Sequence, residues 1–182
     1  MTFQSGMTRM NENTVPNVKN TDFTVTAAVR LGSGPANGAI VAQGGKFGGW
    51  SFYLKEGVPA YAHNWVGLET FVVKGFGPVP AETKELVLQF AYDGGGSGKG
   101  GTVTFLADGR DIGSGRVEKT VPALFSFDDF MDIGQDNGEP VVEDYGPNGA
   151  TFTGEIDSVT IDVSGEAHHD HDQVIKAKYA RQ

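Results

Sequence analysis

The chain contains no cysteine. That excludes disulfides, zinc-thiolate centres and a cysteine nucleophile, and it leaves the redox compartment open. Histidine is scarce: there are four, and only His63 lies outside the C-terminal tail. No apolar run approaches the length of a membrane span, and the N-terminal "MTFQSGMTRM" lacks the apolar core of a signal peptide. If Met1 is the native start, a cytoplasmic protein is expected. Positive charge is also short. Fourteen Lys and Arg stand against 23 Asp and Glu, a net charge of −9. Such a chain repels nucleic acid and anionic membranes, so neither is expected as a partner.

What is abundant is glycine, 27 of 182 residues. The glycines fall between short segments rich in Val, Phe, Thr and Tyr, the pattern of an all-β domain with many tight turns. "FTVTAAVRL" (23–31) places Phe23, Val25, Ala27, Val29 and Leu31 on one face. "WSFYLKEGVPAYAHNW" (50–65) reads as a hairpin about Glu56-Gly57, and "GTVTFLADGRDIGSGRVEK" (101–119) as one about Asp108-Gly109. "KELVLQFAY" (84–92) alternates Leu86, Leu88 and Phe90, and "TFTGEIDSVTIDV" (151–163) changes apolar phase between Ile156 and Val159, the sign of a bulge. The expected fold is all-β: a two-sheet antiparallel jelly-roll sandwich over residues 21–165. A lead-in segment (1–20) precedes it, and a polar tail (166–182), short and helix-like, follows.

The stretch "YDGGGSGKGG" (92–101) invites a phosphate-loop reading. A phosphate loop needs a helix after it and Ser or Thr directly after the lysine. Here Gly100 follows Lys99, and a strand-type run follows that. The expectation is a glycine-rich hairpin connection without nucleotide chemistry.

Four stretches carry a family resemblance: "AQGGKFGGWSFYLKEGVPAYAHNWVGLE" (42–69), "FAYDGGGSGKGGTVTFLADGRDIGSGRVEKT" (90–120), "MDIGQDNGEPVVEDY" (131–145) and "FTGEIDSVTIDV" (152–163). Together they resemble the C-terminal domain of large bacterial arylsulfatases, and "GMTRMNENTVPNVKN" (6–20) resembles the segment leading into it. The resemblance implies a laminin-G or concanavalin-A-like jelly roll that packs on a sulfatase catalytic domain. It does not bring sulfatase chemistry. The family's nucleophile sits in Cys/Ser-x-Pro-x-Arg; Ser33-Gly34-Pro35-Ala36-Asn37 has serine and proline in register but asparagine where arginine is required.

Three clusters are candidate sites. Lys46, Phe47, Trp50, Tyr61, His63, Asn64 and Trp65 fall within twenty residues. They suggest a pocket for an aromatic or sugar-like ligand, with His63 as acid or base and Lys46 facing an anion. Ala60 and Ala62, on the opposite face, stand where relatives tend to carry valine. The alternative is a histidine satisfied inside a sheet. The acidic run 128–144 offers Asp132, Asp136 and Glu139 as calcium ligands, without EF-hand spacing, or else a solvated loop. A glycosidase acid pair is a further reading, though the Glu-x-Asp-x-x-Glu pattern of one such family is missing. "AHHDHD" (167–172) is a weak metal-binding tail or simply an exposed one. No cofactor is expected beyond that calcium. Three function classes remain: an accessory arylsulfatase-type domain, a repurposed small-molecule enzyme, and a calcium-dependent carbohydrate-binding module. A domain that has lost a large covering partner exposes apolar surface, so a homodimer is a further partner expectation.

Overall fold

A computed structural model describes residues 1–126, 129–146 and 149–164. Eleven strands and one 3-10 turn, Glu12–Thr14, make up its regular structure. In chain order the strands are β1 (Thr2–Phe3), β2 (Asp22–Arg30), β3 (Gly38–Gly45), β4 (Gly48–Lys55), β5 (Val58–Trp65), β6 (Glu69–Lys74), β7 (Glu85–Tyr92), β8 (Lys99–Ala107), β9 (Arg110–Lys119), β10 (Met131–Ile133) and β11 (Glu155–Ser164). They form two antiparallel sheets. One is six-stranded in the order β1-β11-β2-β7-β8-β9; the other is five-stranded in the order β10-β3-β4-β5-β6. The sandwich is the jelly roll that the strand pattern predicts.

Alternation explains the six-stranded sheet. Phe23, Val25, Ala27 and Val29 of β2 point inward, as do Leu86, Leu88 and Phe90 of β7 and Val103 and Phe105 of β8. Thr24, Thr26, Gln89, Thr102 and Thr104 point to solvent. The register shift between Ile156 and Ser158 is the expected bulge. Asp108 (φ 47°) and Gly109 (φ 79°) make the β8–β9 turn, and Glu56 (φ 50°) and Gly57 (φ 76°) the β4–β5 turn, both with the left-handed pair of a type I′ hairpin.

The five-stranded sheet is covered on both sides. Its inner face gives Val41, Trp50, Phe52, Leu54, Tyr61 and Val73 to the main core. Its outer face carries Ala39, Ala42, Tyr53, Ala60 and Ala62, packed beneath Val141 and Tyr145. The two sheets approach closely at one edge: a Cβ on Gly115 of β9 would lie 2.7 Å from a methyl of Val73 on β6. The glycine-rich stretch 93–98 joins β7 to β8 as a hairpin connection. Asp93 N donates to Gly100 O at 3.0 Å, and Gly98 N to the Asn20 side chain at 2.8 Å.

The lead-in is woven into both sheets. Thr2 and Phe3 pair with Thr160 and Val159 of β11. Met10 exchanges backbone hydrogen bonds with Met131 of β10 at 3.0 and 2.8 Å. Phe3, Val15 and Val18 are buried in the core.

Candidate functional site

On the β4–β5 hairpin, Trp50 lies opposite His63 and Phe52 opposite Tyr61. Trp50, Phe52, Tyr61 and His63 therefore share one face, and that face is the interior of the sandwich. Trp50 is fully buried, and Tyr61 and His63 are 1% and 3% exposed. Their rings join one aromatic cluster: Phe23–Trp50 at 5.6 Å, Trp50–Tyr61 at 6.2 Å and His63–Phe125 edge-on at 6.1 Å.

Both ring nitrogens of His63 are engaged. The Val121 backbone N–H donates to Nε2 at 3.0 Å. The ring proton then sits on Nδ1, 3.1 Å from the Tyr61 hydroxyl. Burial lowers the imidazole pKa to about 3, because the charged form loses its hydration without gaining a counter-charge. Burial also pushes the Tyr61 phenol far above its ordinary value. This pair is neutral across the physiological range.

The cluster is sealed by two segments that give little sign of the role in the sequence. Lys19 and Glu12 form an ion pair with side chains only 8% and 10% exposed. The Lys19 ammonium stands 4.8 Å above the Phe125 ring, and Glu12 accepts the Phe125 N–H at 3.1 Å. Behind this cover, a cavity of about 10 Å³ remains between Lys19, Trp50, Tyr61, His63 and Phe125. That is room for about one water molecule. An aromatic or sugar ligand does not fit there.

The other members of the expected pocket do not line this cavity. Lys46 and Phe47 form the β3–β4 turn; Lys46 pairs with Glu139, and Phe47 is 64% exposed. Trp65 is half-buried under the Lys119 ammonium, 4.3 Å from its ring. Asn64 faces away from His63. Its amide donates to Lys46 O at 3.0 Å and Val141 O at 3.1 Å, and its carbonyl accepts Gly67 N–H at 2.8 Å. It clips two hairpin turns to the 139–145 segment. So the structure brings Trp50, Tyr61 and His63 together, keeps Trp65 on the same face of β5 at the half-buried margin of that core, and sets Lys46, Phe47 and Asn64 apart from them.

The acidic residues are likewise committed to separate partners. Asp132 accepts the Arg9 N–H at 2.6 Å and the Asn137 N–H at 3.1 Å. Asp136 accepts the Val141 N–H at 2.8 Å and the Tyr145 hydroxyl, while Glu139 holds Lys46. Burial first, then the charges of Asp132 and Asp129, raise the Asp136 pKa to about 6 against the hydrogen bonds from Tyr145 and Val141. Among the described residues no three His, Asp or Glu side chains are placed to hold a metal ion. The calcium expectation for Asp132, Asp136 and Glu139 therefore finds no converging donor set. The "AHHDHD" stretch lies outside the described residues.

These features define an antiparallel jelly-roll sandwich with a laminin-G-like fold. Similar solved structures include the CBM40 of Ruminococcus gnavus IT-sialidase. That match has TM-score 0.53 and 15% identity, and it covers 87% of this chain and 83% of that one. The NanB sialidase of Streptococcus pneumoniae gives TM-score 0.55 at 14% identity, over 95% of this chain and 27% of that one. Domains LG4-5 of the mouse laminin α1 chain give TM-score 0.51 at 15% identity, over 91% and 42%. At such identities the likeness establishes the fold. No protein-family model matches the sequence, and no curated protein aligns with it.

Proposed function

We propose that this chain is a non-catalytic binding module, an accessory jelly-roll sandwich of the kind that arylsulfatases carry at their C-terminal end. The observation that carries this reading is the state of His63. The one histidine outside the tail is neutral, sealed, and bonded through both nitrogens to Val121 and Tyr61. It has no free nitrogen for acid–base work. Asn37, at the position where the sulfatase motif requires arginine, serves the scaffold instead. Its side-chain oxygen accepts the Glu56 N–H at 2.7 Å and braces the β4–β5 turn. The NanB match supports an accessory role too, since the sandwich aligns with about a quarter of a sialidase chain.

The reading is tested by turnover. With 4-nitrophenyl sulfate and 4-nitrophenyl glycosides, the chain is expected to release no nitrophenol above buffer. Release that disappears in a folded His63→Gln variant would return the site to the enzyme class.

A second reading, glycan binding, is favoured by the solvent side of the six-stranded sheet. Thr160, Thr26, Thr24, Gln89, Thr104 and Thr102 stand there on adjacent strands, an array of uncharged donors and acceptors bordered by Asp162 beside Thr24 and Arg116 beside Thr102. A similar CBM40 structure is bound to α2,3-sialyllactose. Titration of the isotope-labelled chain with that sugar, up to about 10 mM, tests this. Saturable amide shifts along β2, β7 and β8 support it; their absence leaves the accessory role through protein contact.

A further inference from the structure

An open cavity sits at the pole of the sandwich opposite the Phe47 and Leu68 turns. Three connections build it: the β2–β3 loop (31–37), the β4–β5 turn and the β6–β7 loop (75–84). Its volume is about 230 Å³. That is below the range of drug-sized sites, about 300–1,000 Å³, and suits a ligand no larger than one long side chain.

The floor is apolar. Leu31, Ala36 and Gly57 are buried beneath it, and Val79 is half-buried. Pro35 and Pro78 form opposing walls: a Cβ on Gly57 would point between them, 3.8 Å and 3.3 Å from their Cβ atoms. The loops are braced before any ligand arrives. Gly57 N donates to Ala36 O at 2.8 Å, Val79 N to Gly57 O at 3.0 Å, and Glu56 N to the Asn37 side chain at 2.7 Å.

Glu56 is the one ionisable residue that lines the cavity. It occupies the first central position of a type I′ turn at φ 50°, where Asn, Asp or Gly is favoured. The comparable β8–β9 turn uses Asp108 there. Here a glutamate, exposed and part of the lining, brings a carboxylate to the cavity. Among the described residues that carboxylate has no hydrogen-bond or ion-pair partner. The neighbouring Lys55 is occupied by Asp144.

An apolar, proline-walled cleft with a single free carboxylate selects a group that is cationic at one end and hydrocarbon at the other. We propose that this pocket binds a protonated amine carried on a short hydrocarbon body, either a free alkylamine or a lysine side chain. An anion meets the Glu56 charge, and a neutral alcohol gains the floor but not the ion pair. The site does not rest on the accessory-module reading and uses none of its residues except the Asn37 brace.

The test is titration of the isotope-labelled chain with n-pentylammonium, with acetyl-Gly-Lys-Gly-amide, and with n-pentanol as the neutral control. Saturable shifts are expected at the amides of Ala36, Gly57 and Val79. Pentanol should bind about tenfold more weakly, the worth of one charged hydrogen bond. Glu56→Gln should weaken the amine about tenfold and leave pentanol unchanged. Ala81→Trp, a rim substitution on an exposed residue, should block both while shifts elsewhere stay native. Tighter binding of the peptide than of pentylammonium assigns the pocket to a partner's lysine; equal binding assigns it to a free amine. The proposal is overturned if neither amine gives saturable shifts, if pentanol matches pentylammonium, or if Glu56→Gln changes nothing.

Discussion

His63 and Asp136 pull the pH dependence of stability in opposite directions. The His63 pKa falls from 6.5 unfolded to about 3 folded. Between these values the unfolded chain holds a proton that the folded chain refuses, so its contribution is complete above pH 6.5 and is lost as pH falls. The slope is about 1.4 kcal/mol per pH unit. The Asp136 pKa rises from 3.8 to about 6. Its contribution is complete below pH 3.8 and is lost as pH rises through 6. The two nearly cancel between about pH 4 and 6. Asp136→Asn should thus stabilise the protein at pH 7 by on the order of 2–3 kcal/mol and uncover the histidine slope below pH 6.5. Urea midpoints from pH 4 to 8 check this, with His63→Gln as the converse: stability that climbs on acidification from pH 7 to 4. Parallel profiles for wild type and both variants would contradict the two assignments.

At the scale of elements, the hairpins are legible in the sequence because turn chemistry is local. Glu56-Gly57 and Asp108-Gly109 announce themselves, and so does the phase change at Ile156. Strand β3 is not legible. Its sequence "GAIVAQGG" is buried at every position, so nothing alternates. Strand β6 is half-exposed and hidden among loop-like neighbours. The β7–β8 connection leads into strand β8 at Lys99 rather than into the helix a phosphate loop needs, so Lys99→Ala should shift the urea midpoint by an amount worth less than about 0.5 kcal/mol, and ATP should leave the melting temperature unchanged. Asn64 is the opposite case. Asn64→Ala removes three hydrogen bonds and leaves two carbonyls and one amide short of partners. A loss of about 2–4 kcal/mol is expected by urea denaturation, with exchange of the Gly67 amide accelerated most. A loss below about 0.5 kcal/mol would show that the clip is dispensable.

For the whole molecule, alternation separates the two faces of the β4–β5 hairpin, but not inside from outside. Trp50, Tyr61 and His63 resemble a ligand platform, and Ala60 and Ala62 a loosened core behind it. Both faces are buried, the first by the opposite sheet and the second by the segment bearing Val141 and Tyr145. That cover comes from distant chain, which local periodicity cannot register. The lead-in matters for the same reason. The sequence pattern places it ahead of the sandwich, yet Phe3, Val15 and Val18 enter the core, Glu12 and Lys19 seal the aromatic end, and Met10 borders β10. Deleting residues 1–20 would uncover Phe23, Trp50 and Phe125 together, three aromatic side chains at about 1.5–3 kcal/mol each, and would remove the β1 and Met10 pairings. Domains of this size are stable by only about 5–15 kcal/mol. The truncated chain is therefore expected to lose cooperative unfolding and to bind hydrophobic dye at 25 °C, read by thermal melts and dye fluorescence. A melting temperature within about 5 °C of the full chain would show that the sandwich closes without it.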